Sequence, residues 1–496
     1  MIYKGSVQAL LALCLCLVGA ACGDDAESNT GDSGLTGGDG DGDGDGDEDA
    51  AVDAGGDGDG DGDGDGDGDT EVGTVTPNPD GTDPLPPLPI DKTLPIIFVH
   101  GFAGSAQQYE AQAQRFVANG YPIDRIRAFD HDGAGFDIAG YADGVDAVID
   151  QALEDFGVEQ VYLVGHSRGT SVSSTYLSDA TRLAKVAKYI ALDGSPCPTT
   201  LPCISPNQAM LLGQAHVECA TSPESFEMQY EFLMDEAPEI VDIVAQKEPV
   251  TISGRAVNFP ANTGRESATL EIWELEEATG HRATEEPLAT IELDADGGWG
   301  PVTVDSRKFY EFALVPSGDA VGSTHHLYMQ KFLRDSQLVR LLSGDAMSAT
   351  RVNTNTSDDH SSVIAIRMRE WYATDDGDLD GDQADLIEIG VSGGDVEEVE
   401  AVNVLQRFVG NATIGYHIHD DAASPGESSL IALPYFAGQA FQSGVDFFMP
   451  ASDPPDGTIT ITNIPRGDTE KPQTLRIPNW RSSEHAVTVQ FADFAQ

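Results

Sequence analysis

Residues 161–169 read VYLVGHSRG, and this stretch decides which fold the sequence predicts. Its first half is an apolar run of strand length, and its second half is a Gly-x-Ser-x-Gly pattern centred on Ser167. A helical pattern follows directly, so we expect a tight turn between a buried strand and a helix, where larger side chains than glycine would collide. A helix N-terminus favours developing negative charge, which makes Ser167 the predicted nucleophile; the alternative is a plain helix N-cap serine.

The flanking segments repeat the same alternation of strand and helix. LPIIFVH, at residues 94–100, is an apolar run that ends in a glycine-rich turn. Further strand patterns occupy residues 126–129 and 188–194, and helical patterns occupy residues 107–119 and 138–156. Strands that alternate with helices of this length are typical of a parallel sheet with both faces covered. We therefore predict an α/β fold for this part of the chain.

A serine nucleophile requires a base and an acid that orients the base. The acid and then the histidine follow the serine along the chain in folds of this kind. Asp193 ends the next predicted strand, and His216 is the only later histidine before the α/β pattern stops. We predict Asp193 as the acid and His216 as the base, with Asp235 and Asp242 as alternative acids.

The oxyanion of the tetrahedral intermediate needs backbone N–H donors. The turn after residues 94–100 lies at the same edge of a parallel sheet as Ser167, so we predict the amides of Phe102 and Arg168 as these donors. His100 precedes the nucleophile in the chain, and we interpret it as structural.

These motifs resemble those of a known family. HGFAGSAQQYEAQAQRFVANGYP, VYLVGHSRGT, ALDG and HVECATSPESF are similar to segments of α/β-hydrolase lipases, in particular an archaeal-type carboxylesterase–lipase with a C-terminal β-domain that helps bind lipid. The likeness covers most of residues 94–496. It implies the same site residues, namely Ser167, Asp193, His216, Phe102 and Arg168.

The sequence departs from that family in one segment. Its lipases carry a long lid insertion before the nucleophile strand, whereas only residues 130–160 lie there in this chain. We therefore expect no substantial helical lid. Residues 195–215 are the segment that could form a reduced cap instead.

The same segment carries two of the cysteines expected in the mature chain. In an exported protein we predict a disulfide between Cys197 and Cys203, which leaves Cys219 as a free, small, buried apolar residue.

Strand patterns dominate after residue 242. We predict a transthyretin-like β-sandwich up to about residue 317, a helix-like connector at residues 328–342 and a second β-rich region. Asp376, Asp378, Asp380 and Gly381 match the opening of a calcium loop, but Ile387 stands at its closing position, so an ordinary turn is favoured. His417 and His419 share a strand face without a third ligand, and no metal or other cofactor is predicted.

The N-terminus predicts export. A short apolar run ending in Gly-Ala-Ala-Cys is typical of a signal peptide with Cys22 as the lipidated mature N-terminus, although plain secretion is the alternative. Asp-Gly repeats and then a proline-rich stretch follow, and we predict a disordered tether. The predicted organisation is signal peptide 1–22, tether 23–92, α/β-hydrolase domain 93–245, β-sandwich with connector 246–345 and second β region 346–496.

Charge excludes one class of partner. The 496 residues include 26 Lys and Arg against 84 Asp and Glu, a net charge of −58. A chain this acidic repels phosphate, so no nucleic-acid partner is expected, and no protein partner can be inferred. Twenty of the acids lie between Asp24 and Glu71, which leaves −58 + 20 = −38 for the rest.

The combined prediction is a bacterial, membrane-anchored serine hydrolase of lipid esters, at the outer membrane or cell surface. One alternative is a short-chain esterase or polyester depolymerase with the same triad. The other is a lipid-binding or adhesion lipoprotein with weak or incidental hydrolase activity.

Overall fold

The computed structural model describes residues 77–83, 85–318, 322–344, 356–371, 385–394, 398–403, 414–417, 429–432 and 444–493. Within these ranges, no helix has the length and apolar character needed to cross a bilayer. Several predictions fall outside the described residues: the signal peptide, Cys22, the Asp-Gly repeats, the candidate calcium loop, His419 and the side chain of His417.

The part of the chain predicted as α/β, residues 93–245 (the α/β region), contains a five-stranded parallel sheet. Its strands are β1 Ile96–Val99, β2 Ile126–Phe129, β3 Val161–His166, β4 Val186–Leu192 and β5 Cys203–Ile204. They lie in the order β2-β1-β3-β4-β5, so β3, which leads to Ser167, is central. Val99 pairs with Gly165, which brings the ends of β1 and β3 side by side.

Helices cover both faces of this sheet. They are α1 Glu110–Ala118, α2 Ile138–Phe156, α3 Arg168–Leu177, α4 Ala180–Leu183, α5 Glu218–Thr221 and α6 Pro223–Met234, with 3₁₀ turns at Ile90–Lys92, Ala106–Tyr109 and Ile123–Arg125. Phe98 of β1 faces a core that contains Phe116 of α1 and Phe226 of α6. Its neighbour Ile97 faces the opposite core, which contains Val145 of α2. Successive strand residues point to opposite faces, so both faces are buried and the α/β prediction is confirmed.

The ends of α2 follow from local sequence. The Asp137 side chain accepts a hydrogen bond from the Gly140 amide at 3.1 Å, as an N-cap does. Gly157 ends the helix with φ 61°, a left-handed conformation that glycine adopts without strain. Between β2 and β3 the chain therefore holds a loop and one helix packed on the sheet.

The described part of residues 246–493 (the β region) consists mainly of strands. These are β6 Val250–Asn258, β7 Thr263–Gly264, β8 Ala268–Glu274, β9 Ala289–Glu292, β10 Gly298–Val304, β11 Tyr310–Pro316, β12 Thr324–Met329, β13 Ser336–Ser343, β14 His360–Ile366, β15 Leu386–Ser392, β16 Val399–Asn403, β17 Ile414–His417, β18 Ser429–Ala432, β19 Gly444–Pro450, β20 Thr458–Ile464, β21 Gln473–Pro478 and β22 His485–Gln490.

One nine-stranded sheet runs through the whole β region, in the order β18-β17-β19-β14-β22-β12-β11-β8-β9. A sheet of β10-β6-β13 shares a core with it that includes Ile252 and Phe312. A second sheet, β16-β15-β20-β21, shares another core that includes Ile461 and Phe447. The parallel pairing of β12 with β22 joins residues on either side of the predicted boundary at 345. The β-rich prediction is confirmed. Strands from both predicted parts, residues 246–345 and 346–496, belong to the nine-stranded sheet.

The helix-like connector predicted at residues 328–342 is wrong. These residues contribute the end of β12 and most of β13. Val339, Arg340 and Leu341 are all buried, so both faces of β13 are covered. A strand buried on both faces lacks the alternation of period two that identifies strands in sequence, and its apolar run is easily taken for a helix.

The predicted disordered tether also extends too far. Residues 77–83 and 85–92 are described and pack on the folded chain. The Asn78 amide donates to the Lys247 carbonyl at 2.6 Å, and the Leu88 amide donates to the Gly120 carbonyl at 3.0 Å. Proline-rich chain has little backbone entropy to lose, so a few such contacts suffice to order it.

Candidate active site

The nucleophile turn, residues 165–169, follows β3 and opens α3. Ser167 has φ 51°, a left-handed backbone conformation that is uncommon for a residue with a side chain. A Cβ on Gly169 would lie 2.1 Å from the carbonyl oxygen of Val99, and one on Gly165 would lie 2.8 Å from that of Gly169. Glycine is therefore required at both positions, because backbone occupies the space a side chain would need. The strained turn is the structure predicted around Ser167.

The turn that follows β1 lies against the nucleophile turn. A Cβ on Gly101 would meet the Cβ of Ser167 at 3.0 Å and Nδ1 of His166 at 3.1 Å. Phe102 is the next residue, and the amide of Ala103 donates to the Gly133 carbonyl at 2.8 Å. The structure thus brings the Phe102 turn and the start of α3 together at the sheet edge where Ser167 lies.

Asp193 and His216 meet through a short hydrogen bond. Nδ1–H of His216 donates to Oδ2 of Asp193 at 2.6 Å. Gln208 also donates to Asp193, from its side chain at 2.7 Å and its backbone amide at 3.3 Å. Burial alone would raise the pKa of Asp193, but the hydrogen bonds from His216 and Gln208 outweigh it and lower the pKa. Asp193 is therefore ionised at neutral pH and able to stabilise an imidazolium on His216.

The alternative acid Asp235 does not contact His216 through any bond that the structure describes. It caps α6 with φ 59° and pairs with Lys188 at 2.9 Å, at a largely exposed position. Among the candidates, Asp193 is the carboxylate that the fold places on the histidine.

His166, inside the Gly-x-Ser-x-Gly pattern, connects the nucleophile turn to the loop that carries His216. Its Nε2–H donates to the carbonyl oxygen of His216 at 2.9 Å, and its Nδ1 accepts from the Gln108 side chain at 2.6 Å. Burial, and then the neighbouring His216, lower its pKa to about 3, so the ring is neutral and its tautomer matches these bonds. Sequence reasoning missed this role, because the motif identifies only its serine and glycines.

The Arg168 side chain holds the loop of residues 132–135 beside the site. The sequence predicted a role only for the backbone amide of Arg168. Its Nη2 donates to the carbonyl oxygens of Asp132 and Gly133 at 2.8 and 3.0 Å, and its Nη1 donates to that of Gly135. The guanidinium also lies over the Phe102 ring, 5.0 Å from its centroid. One residue thereby fixes both the loop and the Phe102 turn.

His100 and His131 form a stacked, buried pair with centroids 3.8 Å apart. Nδ1 of His100 donates to the Gly101 carbonyl at 2.8 Å, and its Nε2 accepts from the His131 amide at 3.1 Å. Burial lowers the pKa of His100 well below its usual value and that of His131 to about 4. The side-chain nitrogen of Asn262 also lies 3.4 Å from Nε2 of His100, and these contacts are in keeping with the structural role interpreted from the position of His100.

Cys197 and Cys203 form a disulfide, and Cys219 is free and buried. The bridge closes the start of the segment between the acid and the base. Farther along, Met210 is 55% exposed and Leu212 is 85% exposed. Phe136, on the loop held by Arg168, is also exposed and packs against the Phe102 ring. Large apolar side chains are therefore exposed on the loop held by Arg168 and on the segment between Asp193 and His216.

Family models match three successive parts of the chain. Residues 95–215 match the model of the alpha/beta hydrolase fold, and residues 248–346 match the model of the lipase C-terminal domain. A third model, described as a C-terminal domain, matches residues 349–495.

The α/β region has the α/β-hydrolase fold. Residues 95–215 and 248–346 therefore resemble an alpha/beta hydrolase followed by a lipase C-terminal domain, and the two matches support an ester hydrolase.

Solved structures of hydrolases are also similar over part of the chain. An extracellular alpha/beta-hydrolase from a Paenibacillus species is 19% identical over 21% of this chain and 42% of its own, with a TM-score of 0.17. The pyrethroid hydrolase PytH is 27% identical over 21% and 40%, with a TM-score of 0.17. A carboxylesterase from Nitrososphaera gargenis is 21% identical over 21% and 38%, also with a TM-score of 0.17. The chain spans about two fifths of the length of these proteins.

No cluster of three or more His, Cys, Asp or Glu suited to a metal ion occurs among the described residues. The chemistry that the site supports is acyl transfer, with a serine on a strained turn, a histidine oriented by a carboxylate and backbone amides nearby.

Proposed function

We propose that the chain is an exported serine hydrolase that cleaves carboxylic esters of lipids through an acyl-enzyme intermediate. The observation that carries this proposal is the 2.6 Å bond between His216 and Asp193, in a loop that His166 ties to the nucleophile turn. That bond orients the imidazole, leaving Nε2 as the nitrogen that accepts a proton.

In the proposed reaction, Oγ of Ser167 attacks the ester carbonyl carbon while its proton passes to Nε2 of His216. The amides of Phe102 and Arg168 donate to the oxyanion, and Asp193 stabilises the imidazolium. The intermediate collapses to acyl-serine and alcohol, and the alcohol takes the proton from His216. Water then attacks the acyl carbon by the same route and releases the acid.

Two observations favour lipid esters. The lipase C-terminal domain match follows the catalytic region directly in the chain. Phe136, Met210 and Leu212 expose apolar surface on loops that flank the site, and such surface favours contact with acyl chains or a lipid interface. An acidic surface repels anionic membranes, so apolar contact is expected to capture the substrate.

Hydrolysis of p-nitrophenyl esters from acetate to palmitate tests the proposal. We expect turnover of long-chain esters, and a fall in kcat of about 10⁴-fold or more in Ser167→Ala because the nucleophile is lost. Ser171→Ala, on the same helix with its hydroxyl 3.2 Å from that of Ser195, is the matched control, with an expected change under about twofold.

The outcomes separate the alternatives. A sharp preference for acetate and butyrate identifies a short-chain esterase, and turnover of an insoluble polyester identifies a depolymerase. Binding to lipid without serine-dependent hydrolysis of any ester identifies a lipid-binding or adhesion protein and overturns the enzyme proposal.

Export and anchoring belong to the same proposal. The apolar N-terminus and the small residues before Cys22 favour cleavage and lipidation at that cysteine. The mass of the N-terminal peptide from the mature protein tests it: an unmodified peptide that begins elsewhere indicates plain secretion.

A further inference from the structure

The loop that carries His216 (the base loop, residues 214–218) rests on a carboxylate from the β region. The amide of Val217 donates to Oε1 of Glu370 at 2.6 Å, and the amide of Glu218 donates to Oε2 at 3.1 Å. Glu370 is 1% exposed. Each oxygen of this buried carboxylate thus accepts a hydrogen bond from one of the two residues that follow His216. The sequence separations are 153 and 152 positions.

A second carboxylate holds the other side of the histidine. Oε2 of Glu218 accepts the amide of Ala215 at 3.0 Å. Its two oxygens also accept from arginines of the β region, Oε1 from Arg369 at 2.7 Å and Oε2 from Arg466 at 2.6 Å. The residues before and after His216 are therefore both hydrogen-bonded to carboxylates that the β region supplies or holds.

Buried groups of the β region hold Arg466 in place. Nη1 of Arg466 donates to Oδ2 of Asp385 at 2.5 Å and to the carbonyl oxygen of Glu370 at 2.6 Å. Arg367 pairs with the same Asp385 oxygen at 2.9 Å, and both of those side chains are fully buried. Charge-assisted bonds among buried groups hold their geometry tightly, because any broken bond leaves an uncompensated charge.

We propose that Glu370 is a positioning residue for the general base, so that the β region completes the active site. The inference rests on the proposed function, since it gives His216 the role of base. The base must lie within hydrogen-bond reach of the serine hydroxyl, and misplacement by about 1 Å can cost about 10²-fold in rate. Glu370 acts through the backbone of the base loop and has no bond to substrate in this scheme.

Two other sets of polar contacts between the regions lie away from this loop. Asp130 pairs with Arg340 and Arg255 at 2.8 and 3.1 Å near the end of β2. Ser336 of β13 donates to Glu110 of α1 at 3.1 Å. These contacts join the regions, whereas the Glu370 contacts act on the residues next to His216.

The test uses the full mature chain with Glu370→Gln and Glu370→Ala. Gln keeps the side-chain shape and one acceptor oxygen, whereas Ala removes both acceptors. With a soluble short-chain p-nitrophenyl ester, we expect kcat to fall about 10-fold for Gln and about 10–100-fold for Ala, with KM within about twofold. Ser336→Ala is the control, since it also removes a bond to a partly buried carboxylate across the interface.

A second readout does not depend on turnover. The proton shared by His216 and Asp193 is expected to give a downfield resonance in one-dimensional NMR of the wild type and of Ser336→Ala. In Glu370→Ala the resonance should broaden or disappear, because the base loop is less constrained. The melting temperature of Glu370→Gln shows whether that variant is folded under assay conditions.

The results separate this inference from the proposed function. If Ser167→Ala abolishes turnover while both Glu370 variants keep wild-type kcat and the downfield resonance, the positioning role is wrong and the hydrolase stands. Equal losses of kcat in Ser336→Ala and Glu370→Gln also overturn it, because any interface contact would then serve. If Ser167→Ala retains turnover, the proposed function itself fails, and the NMR comparison still reports on the base loop.

Discussion

The nucleophile turn and the base loop carry the two residues proposed to exchange one proton, but different parts of the chain hold them in place. The turn is shaped locally, by two glycines and by the backbone of β1 and β3 against which they pack. The base loop has a few local bonds, such as that from the Cys219 amide to the Ala215 carbonyl, but residues distant in sequence also hold it. Side chains hold it from a distance, namely His166 from the nucleophile turn, and Glu370, Arg369 and Arg466 from the β region.

This difference indicates how the nucleophile turn and the base loop should each respond to substitution. Steric fit of backbone against backbone allows almost no adjustment, so small substitutions in the turn are expected to have large effects. Hydrogen bonds to a loop can be lost one at a time, so damage to the base loop is expected to be graded.

The largest effect is expected from Gly169→Ala. The added Cβ would lie 2.1 Å from the Val99 carbonyl oxygen and 2.7 Å from that of His100, both of them backbone atoms. We expect a loss of stability of about 3 kcal/mol and the loss of measurable ester hydrolysis, checked by urea unfolding and the palmitate assay.

Gly157→Ala is the matched control for that substitution. Gly157 has φ 61° but no atom within 4 Å of an added Cβ, so only backbone strain of about 1 kcal/mol is expected, with activity retained. Equal effects of the two substitutions would show that crowding does not govern the nucleophile turn.

Asp193→Asn is expected to have the next largest effect. Asn can donate as well as accept, so it no longer holds His216 in the tautomer that leaves Nε2 free, and it cannot stabilise the imidazolium. We expect kcat to fall about 10⁴-fold with little change in stability. Asp235→Asn, at an exposed position paired with Lys188, should change kcat less than about twofold. The opposite ranking would assign the acid to Asp235.

The smallest effect on activity is expected from Glu110→Gln, at the interface contact that does not reach the base loop. Burial raises the pKa of Glu110 from about 4.5 to about 7, although bonds from Ser336 and Gln107 oppose the shift. The folded state therefore binds an extra proton between these values, and wild-type stability falls as pH rises from about 4.5 through 7.

Glutamine cannot ionise, so the variant should gain roughly 3 kcal/mol relative to wild type between pH 4.5 and 8. Urea unfolding across that range measures this gain, and kcat at pH 7 should stay within about twofold. Glu277→Gln, at an exposed position, is the control and should show no such gain. A large fall in kcat for Glu110→Gln would mean that the interface as a whole supports catalysis, which would weaken the contrast between turn and loop.

The parts of the fold that could be predicted have strong local signals. The apolar run before Ser167 and the helical spacing of residues 138–156 predicted β3 and α2 with the bounds that the structure has. β13 could not be recognised, because it is buried on both faces by partners that no local pattern reveals. The contacts of residues 77–83 and 85–92 with the folded chain were not predicted for a similar reason, since their partners, such as Lys247 and Gly120, are not sequence neighbours.

The site divides in the same way. Residue type and order predict Ser167, Asp193 and His216 as the proposed triad, and the structure brings Asp193 and His216 into contact. His166 and the Arg168 side chain were not predicted in their present roles, although both lie inside the motif that identified the serine. Their roles depend on the loops that fold over them, and the motif does not describe those loops.

By itself, the amino-acid sequence determined the order of strands and helices, the tight turn at Ser167 and the residues available as acid and base. Each is readable from the sequence as an apolar period, a glycine pattern or the order of residues along the chain. How His216 is held depends on tertiary packing, because Glu370, Arg369 and Arg466 lie more than 150 positions away in sequence. Contacts at that separation form when the two regions pack together, and no local pattern records which side chains will meet.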